Sequence, residues 1–260
     1  MSKVRIKWLS VASFEIEYDG HYLIIDPFFT DSPHSPCTID DVDGCEIIAL
    51  SHFHFDHIPD IPALVKKYDP TILCGPLSAL PLAQWGDINP STIYPMDANL
   101  ELDFGWVKIK ALFGVHMNQK MGFTDLMKSL GEYDYMKQHP ELLPYQKYGS
   151  IEYRNYLFTF QNGTKILFWG NDCNTVQKNT ILDNKQDCAI MQATGQLLDP
   201  EKYAAFIKEA GVKKIIPHHM DLVWSQSEWT EKLECLAKEL KKADRSIELL
   251  IPEYNKFIII

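Results

Sequence analysis

The sequence predicts an α/β protein, built as a four-layer αββα sandwich in which two sheets pack face to face with helices outside. Three observations lead to this prediction: a run of short strands at the start, strands alternating with helices in both halves, and no linker between the halves. Periodicity alone would equally allow a single mixed sheet. With 260 residues, 46% of them hydrophobic, we expect one domain over residues 1–260 with a substantial core.

The chain is predicted to open with an antiparallel meander. The three strands are expected at residues 4–9, 13–18 and 21–26. Asp19-Gly20, between the second and third of these runs, is a strong signal for a two-residue hairpin. Residues 27–44 are rich in Pro, Asp and Ser and are expected to form a long loop, of the kind that often carries function.

Strands and helices then alternate to the end of the chain. Further strands are predicted at 45–50, 71–74, 98–103, 107–114, 187–194, 213–217 and 247–252, and helices at 59–68, 76–85, 175–183, 200–210 and 226–243. Asn162-Gly163 is a second hairpin signal, between the runs NYLFTF and TKILFW.

Residues 117–150 interrupt this alternation and are expected to form an inserted helical or irregular lid. The segment carries Tyr133, Tyr135, Tyr145 and Tyr148 among Met, Pro and Lys residues. Such tyrosines would contact substrate, form a dimer surface or make a small core of their own.

Composition excludes some functions and favours others. A formal net charge of −10 and a pI near 5.3 disfavour nucleic acid as a partner, although bound cations could still attract a small anionic group. No stretch approaches 18 apolar residues and the start lacks a secretory signal, so we expect a soluble cytoplasmic protein without a membrane span. The six cysteines form no CxxC pair, so no disulfide is expected, while a homo-oligomer is left open.

The stretch HFHFDH, residues 52–57, predicts a metal site. It follows an apolar run, and four titratable groups cannot all be buried there without partners. Side chains two apart on an extended chain share a face, so His52 and His54 are expected to bind one ion, and Asp56 with His57 a second. Neutral imidazoles and a carboxylate suit zinc, with manganese or iron as alternatives, better than calcium.

Two ions need more ligands, and three candidates each follow a predicted strand. His116 would complete the first site and His219 the second, while Asp172 could bridge both ions. In open α/β sheets, ligands gather outside the carboxyl ends of strands, which is where these residues fall.

The seven candidate ligands, in this order along the chain, resemble those of the metallo-β-lactamase superfamily. More narrowly, SFEIEYDGHYLIIDPFF near the start and Pro217-His218-His219 near the end resemble the branch of L-ascorbate-6-phosphate lactonase and N-acyl-phosphatidylethanolamine phospholipase D. The resemblance implies the metallo-β-lactamase fold and a binuclear hydrolase.

The chain departs from these relatives at two places. They often carry His or Gln where this chain has Val11, which bears on any substrate contact from that position. The usual Gly-Asp-Thr of the bridging ligand stands here as Asn171-Asp172-Cys173. Some members use a cysteine ligand near this point, so Cys173 is an alternative to Asp172.

The function expected is a metal-dependent hydrolase with a small-molecule substrate, in which a metal-activated hydroxide attacks a small ester, lactone or phosphoester. Asp56 could orient the water. His218 could act as the catalytic acid, or be a packed residue that supports a ligand. The alternatives are a non-catalytic metal-binding protein and a di-iron redox protein of the same fold.

Four other residues are considered for the site because they are an aspartate and three histidines. Asp26 is either an acceptor that fixes a ligand histidine or a loop residue beside proline. His21, His34 and His139 are expected in loops or at the surface, with His34 a weak pocket candidate.

Overall fold

Two mixed sheets form the centre of the fold. The structure is a computed structural model that describes residues 2–116, 128, 131–170 and 173–260. In chain order, its strands are β1 (Arg5–Ser10), β2 (Ser13–Tyr18), β3 (His21–Ile25), β4 (Ile47–Ala49), β5 (Thr71–Cys74), β6 (Ile93–Pro95), β7 (Glu101–Asp103), β8 (Val107–Phe113), β9 (Arg154–Phe160), β10 (Lys165–Trp169), β11 (Cys188–Gln192), β12 (Lys214–His218), β13 (Glu248–Leu249) and β14 (Phe257–Ile259).

Within the described residues, each sheet has seven strands. The first has the order β14-β1-β2-β3-β4-β5-β6, and the second has the order β13-β12-β11-β10-β9-β8-β7. In both sheets one part is antiparallel and the other parallel: β14 to β3 and β7 to β10 pair antiparallel, whereas β3 to β6 and β10 to β13 pair parallel. The predicted meander at the start of the chain is therefore confirmed.

Helices cover the outer faces of the sheets. They are α1 (Ile61–Tyr68), α2 (Pro76–Gly86), α3 (Asp134–Gln138), α4 (Gln146–Ile151), α5 (Thr175–Asp183), α6 (Pro200–Glu209) and α7 (Gln226–Ala243), with 3₁₀ turns at Ile39–Asp41, Pro90–Thr92, Pro140–Tyr145 and Gln196–Leu198. No helix in the described ranges has the length and apolarity needed to cross a membrane. Nor do the cysteines in these ranges form a disulfide.

Alternating side chains divide the interior into two cores. In β3, Leu23 and Ile25 point into the core between the sheets, whereas Ile24 joins the core under α1 and α2. Ile47 and Ile48 in β4 divide in the same way. Fully burying one such side chain stabilises the fold by about 1.5–3 kcal/mol, which fixes the strand register. The four-layer αββα sandwich is confirmed.

The second sheet is covered on its outer face by α6 and α7. Their buried residues belong to the same continuous cluster as the residues between the sheets. Along α7, the buried residues Trp229, Leu233, Leu236 and Leu240 recur at helical spacing. The helix begins at Ser225, whose backbone N–H donates to the Glu228 carboxylate at 2.9 Å in a capping box.

Two strands and one turn differ from the sequence prediction. β6 and β14 were not predicted: each has three residues and lies at a sheet edge, and β6 ends at Pro95. At the first hairpin, Asp19 and Gly20 both have positive φ, as a type I′ turn requires. At the second, only Gly163 does, and the backbone N–H of Gly163 donates to the carbonyl of Phe160, which gives a three-residue loop.

Lys7 and Glu15 form a buried ion pair between β1 and β2. The residues are directly opposite in the strand register, with Lys7 Nζ and Glu15 Oε2 3.2 Å apart, and Lys7 Nζ lies 2.9 Å from Asp43 Oδ2. Burial raises the pKa of Glu15 to about 7 against the lowering effect of Lys7. Among the described residues, Glu15 Oε1 has no hydrogen-bond partner.

We expect the free energy of unfolding to fall between about pH 4.5 and pH 7. Because the folded pKa of Glu15 lies above the ordinary value of 4.5, its stabilising contribution is full below pH 4.5 and lost above pH 7. Glu15→Gln should remove a decline of about 3 kcal/mol. Urea unfolding at pH 4.5 and pH 8 measures this, with exposed Glu101→Gln as control. Equal pH dependence in the wild type and Glu15→Gln would contradict it.

Candidate metal centre

The histidine cluster lies in a tight turn at the carboxyl end of β4. The backbone N–H of His54 donates to the carbonyl of His52 at 3.2 Å, and that of His57 donates to the carbonyl of His54 at 3.0 Å. Phe53 and Phe55 are both buried in the core under α1 and α2. These contacts gather the polar side chains on one side of the turn, above an apolar floor.

Three histidines converge at one point. His52 Nε2 and His54 Nδ1 lie 3.1 Å apart, and the ring of His116 lies 4.6 Å from that of His54. One ligand atom from each of the three residues lies within 4.8 Å of the others. This set is called the histidine group below.

An aspartate and two histidines converge beside it. Asp56 Oδ2 lies 3.2 Å from His219 Nε2 and 3.7 Å from His57 Nε2. These three ligand atoms also lie within 4.8 Å of one another and form the aspartate group. The two groups are adjacent, because the rings of His52 and His57 are 4.0 Å apart. The structure thus divides the hexapeptide between two points as the sequence predicts.

Hydrogen bonds to the outer ring nitrogens fix the tautomers of His52 and His57. His57 Nδ1 donates to Asp26 Oδ2 at 2.8 Å. The Ser51 hydroxyl donates its one proton to the same Asp26 oxygen, so it can only accept from His52 Nδ1, at 2.9 Å. In the neutral form of each ring, Nε2 is left unprotonated and faces the centre.

The same logic applies to His54 and His219. His54 Nε2 donates to the carbonyl of Gln146 at 3.0 Å, which leaves Nδ1 unprotonated. His218 Nε2 donates to the carbonyl of Trp169 at 3.1 Å, so His218 Nδ1 accepts from His219 Nδ1 at 3.2 Å. His219 Nε2 therefore carries a lone pair toward the centre.

The ring nitrogens and the carboxylate oxygen that face the centre are thus hydrogen-bond acceptors opposite other acceptors. Such an arrangement fits a cation. In the neutral tautomers that the outer hydrogen bonds set, His52 Nε2 opposes His54 Nδ1, and His219 Nε2 opposes the Asp56 carboxylate, so neither pair has a proton between its atoms. Buried acceptors without donors are costly unless a positive charge satisfies them. Imidazole nitrogens with outer-ring hydrogen bonds, together with a carboxylate, are the donor set that zinc and related transition metals use.

Burial keeps the histidine group neutral. It holds the pKa of His52 and His116 well below the ordinary range and lowers the pKa of His54 to about 4. Metal binding requires an unprotonated ring nitrogen, so near neutral pH no proton must leave these rings first.

The aspartate group attracts positive charge. Burial opposes the charging of His57, but the carboxylates of Asp26 and Asp56 raise its pKa above the ordinary value. Burial also pushes the pKa of Asp56 upward, yet His57 brings it well below its usual range. Asp56 is therefore ionised at neutral pH, and its charge favours a bound cation.

Left-handed backbone conformations occur beside the centre. Val11, Asp26 and His219 have φ angles of +46°, +43° and +69°. The backbone N–H of His219 donates to the carbonyl of Val11 at 2.9 Å, and Asp221 accepts from the Val11 N–H and the Ser10 hydroxyl at 3.0 and 2.7 Å. Each such conformation costs about 1–3 kcal/mol in a non-glycine residue, so these contacts hold strained backbone in place at the site.

A pocket of about 210 Å³ opens over both groups. Besides the six grouped residues, its described walls comprise Phe55, Tyr133, Tyr153, Gly170, Gln192, Thr194, Leu222 and Val223. The Tyr153 ring packs 4.7 Å from that of His52, and a Cβ on Gly170 would overlap the Tyr153 hydroxyl. Glycine at 170 therefore leaves room for this ring beside the ligands.

Three predicted site residues are not among those that line the pocket in the described part of the chain. Asp172, the expected bridging ligand, lies outside the described residues. Cys173 lines a separate cavity with Asn174. His218 is fully buried, stacks on Phe168 at 5.0 Å, and is not among the described residues that line the pocket. The catalytic role suggested for His218 stays a prediction, and its position favours support of His219 instead.

The remaining histidines lie away from the centre. His21 lies 3.0 Å from a carboxylate oxygen of Glu46, and His34 is exposed. His139 stacks on Tyr135 at 4.3 Å, next to a second cavity.

Gly149 lets helix α4 approach the histidine group. A Cβ at this position would overlap the His54 ring and the carbonyl of Phe53. We expect Gly149→Ala to displace His54 and lower metal affinity about tenfold or more, as loss of outer contacts does. Chelator competition measures the affinity, with exposed Lys147→Ala on the same helix as control. Unchanged affinity in Gly149→Ala would show that this close approach is unimportant.

Comparison with protein-family models matches residues 21–220 to a family described as "Beta-lactamase superfamily domain". The chain belongs to the beta-lactamase superfamily. A curated relative in Bacillus cereus, named UPF0173 metal-dependent hydrolase, is 32% identical over 99 residues, which cover 38% of this chain and 42% of the relative. The chain thus spans less than half the length of this relative, and also of others it matches.

Solved structures agree with this superfamily assignment at the level of the fold. Igni18, a metallo hydrolase from Ignicoccus hospitalis, has a TM-score of 0.67 at 14% identity over 99% of this chain and 98% of its own. The isothiocyanate hydrolase from Delia radicum gut bacteria has a TM-score of 0.65 at 17% identity over 98% of each chain. The fold is the metallo-β-lactamase fold. The narrower resemblance to the lactonase and phospholipase D branch stays a prediction.

Sequence reasoning misses several residues that support the candidate ligands or line the pocket. The Ser51 hydroxyl lies between Asp26 and His52. Its place in the sequence, directly before the histidine cluster, is a signal that points to such a role. The carbonyl of Gln146 has no such signal, because any residue type supplies one. Tyr153 stands just before β9 and carries no motif.

Proposed function

We propose that the protein is a metal-dependent hydrolase that acts on a small ester, lactone or phosphoester through two divalent ions. The observation that carries this proposal is the convergence of histidine and aspartate ligand atoms on two adjacent points in one pocket. A purely structural metal is usually enclosed by four protein ligands, whereas these groups open into a cavity that a substrate can enter.

The proposed ligands follow from the two groups. The histidine group holds one ion and the aspartate group the other, zinc in the first instance, with manganese or iron as alternatives. Asp172 remains the proposed bridge between them, with Cys173 as its alternative.

The chemistry divides between the ions and the chain. When bound, two divalent cations lower the pKa of a coordinated water from 15.7 to about 7 and polarise the carbonyl or phosphoryl oxygen under attack. Asp26 holds the ring of His57, and His218 holds that of His219. Asp56, ionised and directed at the centre, also has the position from which a carboxylate orients an attacking water.

Other pocket groups could position the substrate and supply a proton. Tyr153 stays protonated, because burial raises its pKa well above the ordinary value. The Thr194 hydroxyl donates its proton to the carbonyl of His219, so it can only accept a hydrogen bond from a substrate. Leu222 and Phe55 give the pocket apolar walls, which limit water access to the reacting bond.

We also propose that residues 1–260 form one domain, with 117–150 as a lid over the pocket. In its described part, the Gln146 carbonyl contacts His54, and the Tyr133 ring lies 4.9 Å from that of Phe55. This segment thus supports a candidate ligand and lines the pocket.

Metal removal is the test of the proposed function. We expect the metal-loaded protein to hydrolyse at least one member of a panel of small esters, lactones and phosphodiesters. Chelation should abolish this activity, and zinc or manganese should restore it, because the proposed nucleophile is a water activated by the bound ions. Bound metal without turnover across the panel would favour a non-catalytic metal-binding protein. Two irons with a charge-transfer band would favour the di-iron redox alternative.

A further inference from the structure

A second cavity, of about 410 Å³, adjoins the pocket over the metal centre. The two share three wall residues, Phe55, Tyr133 and Leu222. Because the same three side chains border both spaces, a substituent on a molecule at the centre has only these side chains to pass on its way into the second cavity. This second space is called the side cavity below.

Aromatic rings form most of the apolar wall of the side cavity. Tyr135 meets Phe28 edge to face at 5.6 Å and lies nearly parallel to Phe55 at 6.2 Å. Tyr133 covers Phe55 at 4.9 Å. Offset and edge-to-face arrangements of this kind accept a further ring, with a gain of about 0.5–1.5 kcal/mol beyond the area buried.

The charged groups of the side cavity are carboxylates. Its described walls carry Asp31 and Asp134 and no lysine or arginine, and Lys137 partly offsets Asp134 from 2.8 Å. His139, also in the wall, lies 3.2 Å from Glu141 Oε1. Among the described wall residues an anion entering this space would meet more negative than positive charge, whereas an uncharged ring would not be repelled.

Burial, followed by Asp31, Asp60 and Glu141, raises the pKa of Tyr135 above its ordinary value. Tyr135 therefore keeps its proton at neutral pH, because burial and the nearby carboxylates both disfavour the charged phenolate. Its hydroxyl is available as a hydrogen-bond donor to a substituent in the side cavity.

We propose that the side cavity binds an uncharged aromatic group of the substrate and disfavours an anionic group at that end. This inference rests on the proposed hydrolase function, because the cavity is a substrate subsite only if the reacting bond lies at the metal centre. It narrows the substrate class to small esters, lactones or phosphoesters that carry a neutral aromatic substituent.

Direct binding of two matched probes tests the proposal. The probes are naphthalene-2-methanol, which is neutral, and naphthalene-2-sulfonate, which is an anion of similar shape. The Kd of each is measured by calorimetry or ligand-observed NMR on the metal-loaded and on the metal-free protein, so that attraction of the sulfonate to the ions is separated from binding in the side cavity. We expect the neutral probe to bind about tenfold more tightly.

Two variants localise the binding to the side cavity. Tyr135→Leu keeps apolar bulk but removes the ring, and Gln138→Trp fills the cavity from an exposed position where folding is little affected. Both should raise the Kd of the neutral probe about fivefold or more, whereas exposed Tyr94→Ala should not. An unchanged Kd in Gln138→Trp, or a sulfonate that binds as tightly and responds to the same variants, would overturn the proposal.

The binding test and the hydrolysis panel fail separately. A protein that binds the neutral probe in the side cavity but hydrolyses nothing would refute the hydrolase function and leave the aromatic site. A protein that hydrolyses members of the panel without binding the probe would refute only the subsite.

Discussion

Asp56→Asn is expected to lower turnover and the affinity for the second ion by about a hundredfold or more, beyond the range that outer contacts produce. Asp56 is the one carboxylate among the described candidate ligands, and its Oδ2 faces both His219 and His57. The amide preserves its shape but removes the charge that favours a cation there. Loss of this charge also removes a proposed means of orienting the attacking water.

Metal content and steady-state kinetics measure the effect of Asp56→Asn. The matched control is Asp40→Asn, because the Asp40 side chain is 98% exposed and lies outside both groups. The variant should fold, since asparagine fills the same space. Full metal content and an unchanged rate in Asp56→Asn would contradict the assignment of Asp56 as a ligand.

Asp26→Asn is expected to weaken metal binding about 10–100-fold and to lower the free energy of unfolding as well. The carboxylate accepts from the Ser51 backbone N–H at 2.6 Å, from the Ser51 hydroxyl at 2.5 Å and from His57 Nδ1 at 2.8 Å. An amide nitrogen cannot accept, so at least one buried donor is left unsatisfied, at a cost of about 1–3 kcal/mol. Asparagine tolerates the positive φ at this position, which isolates the hydrogen-bond effect.

Chelator competition and urea unfolding of the metal-free protein separate the two effects of Asp26→Asn. Asp60→Ala is the control, because Asp60 is also buried and its Oδ2 accepts from the backbone N–H groups of Phe29 and Thr30, but contacts none of the described candidate ligands. Removing the acceptor of both N–H groups should lower the free energy of unfolding and leave the metal affinity unchanged. Equal loss of metal affinity in both variants would show that Asp26 acts through general stability rather than through His57.

Local features of the site and fold could be predicted from the sequence. The spacing in HFHFDH placed His52 and His54 in one group and Asp56 and His57 in the other, because residues so close in the chain have few relative positions. Strand alternation and the Asp19-Gly20 hairpin were equally local.

Features that depend on contacts between distant segments could not be predicted. The backbone of Val11 carries the bond to His219, and Asp221 fixes that turn, although neither side chain suggests a role at a metal site. The last strand was missed because Phe257–Ile259 is too short to show alternation and forms only by pairing with β1.

The role of the outer ring nitrogens was predictable only in part. The sequence leaves Asp26 as either a loop residue or a support for a candidate ligand, and its 2.8 Å contact with His57 favours the second. The hydrogen bonds that link Trp169, His218 and His219 could not be predicted from the sequence. They depend on how β10 and β12 are placed on either side of β11 in the second sheet.

Anomalous diffraction from crystals of the metal-loaded protein, recorded above and below the absorption edge of the bound metal, tests the central claim most directly. Two peaks are expected, one within bonding distance of the histidine group and one within bonding distance of the aspartate group, close enough for one water to contact both. An absence of peaks, or a single ion bound away from both groups, would contradict the account.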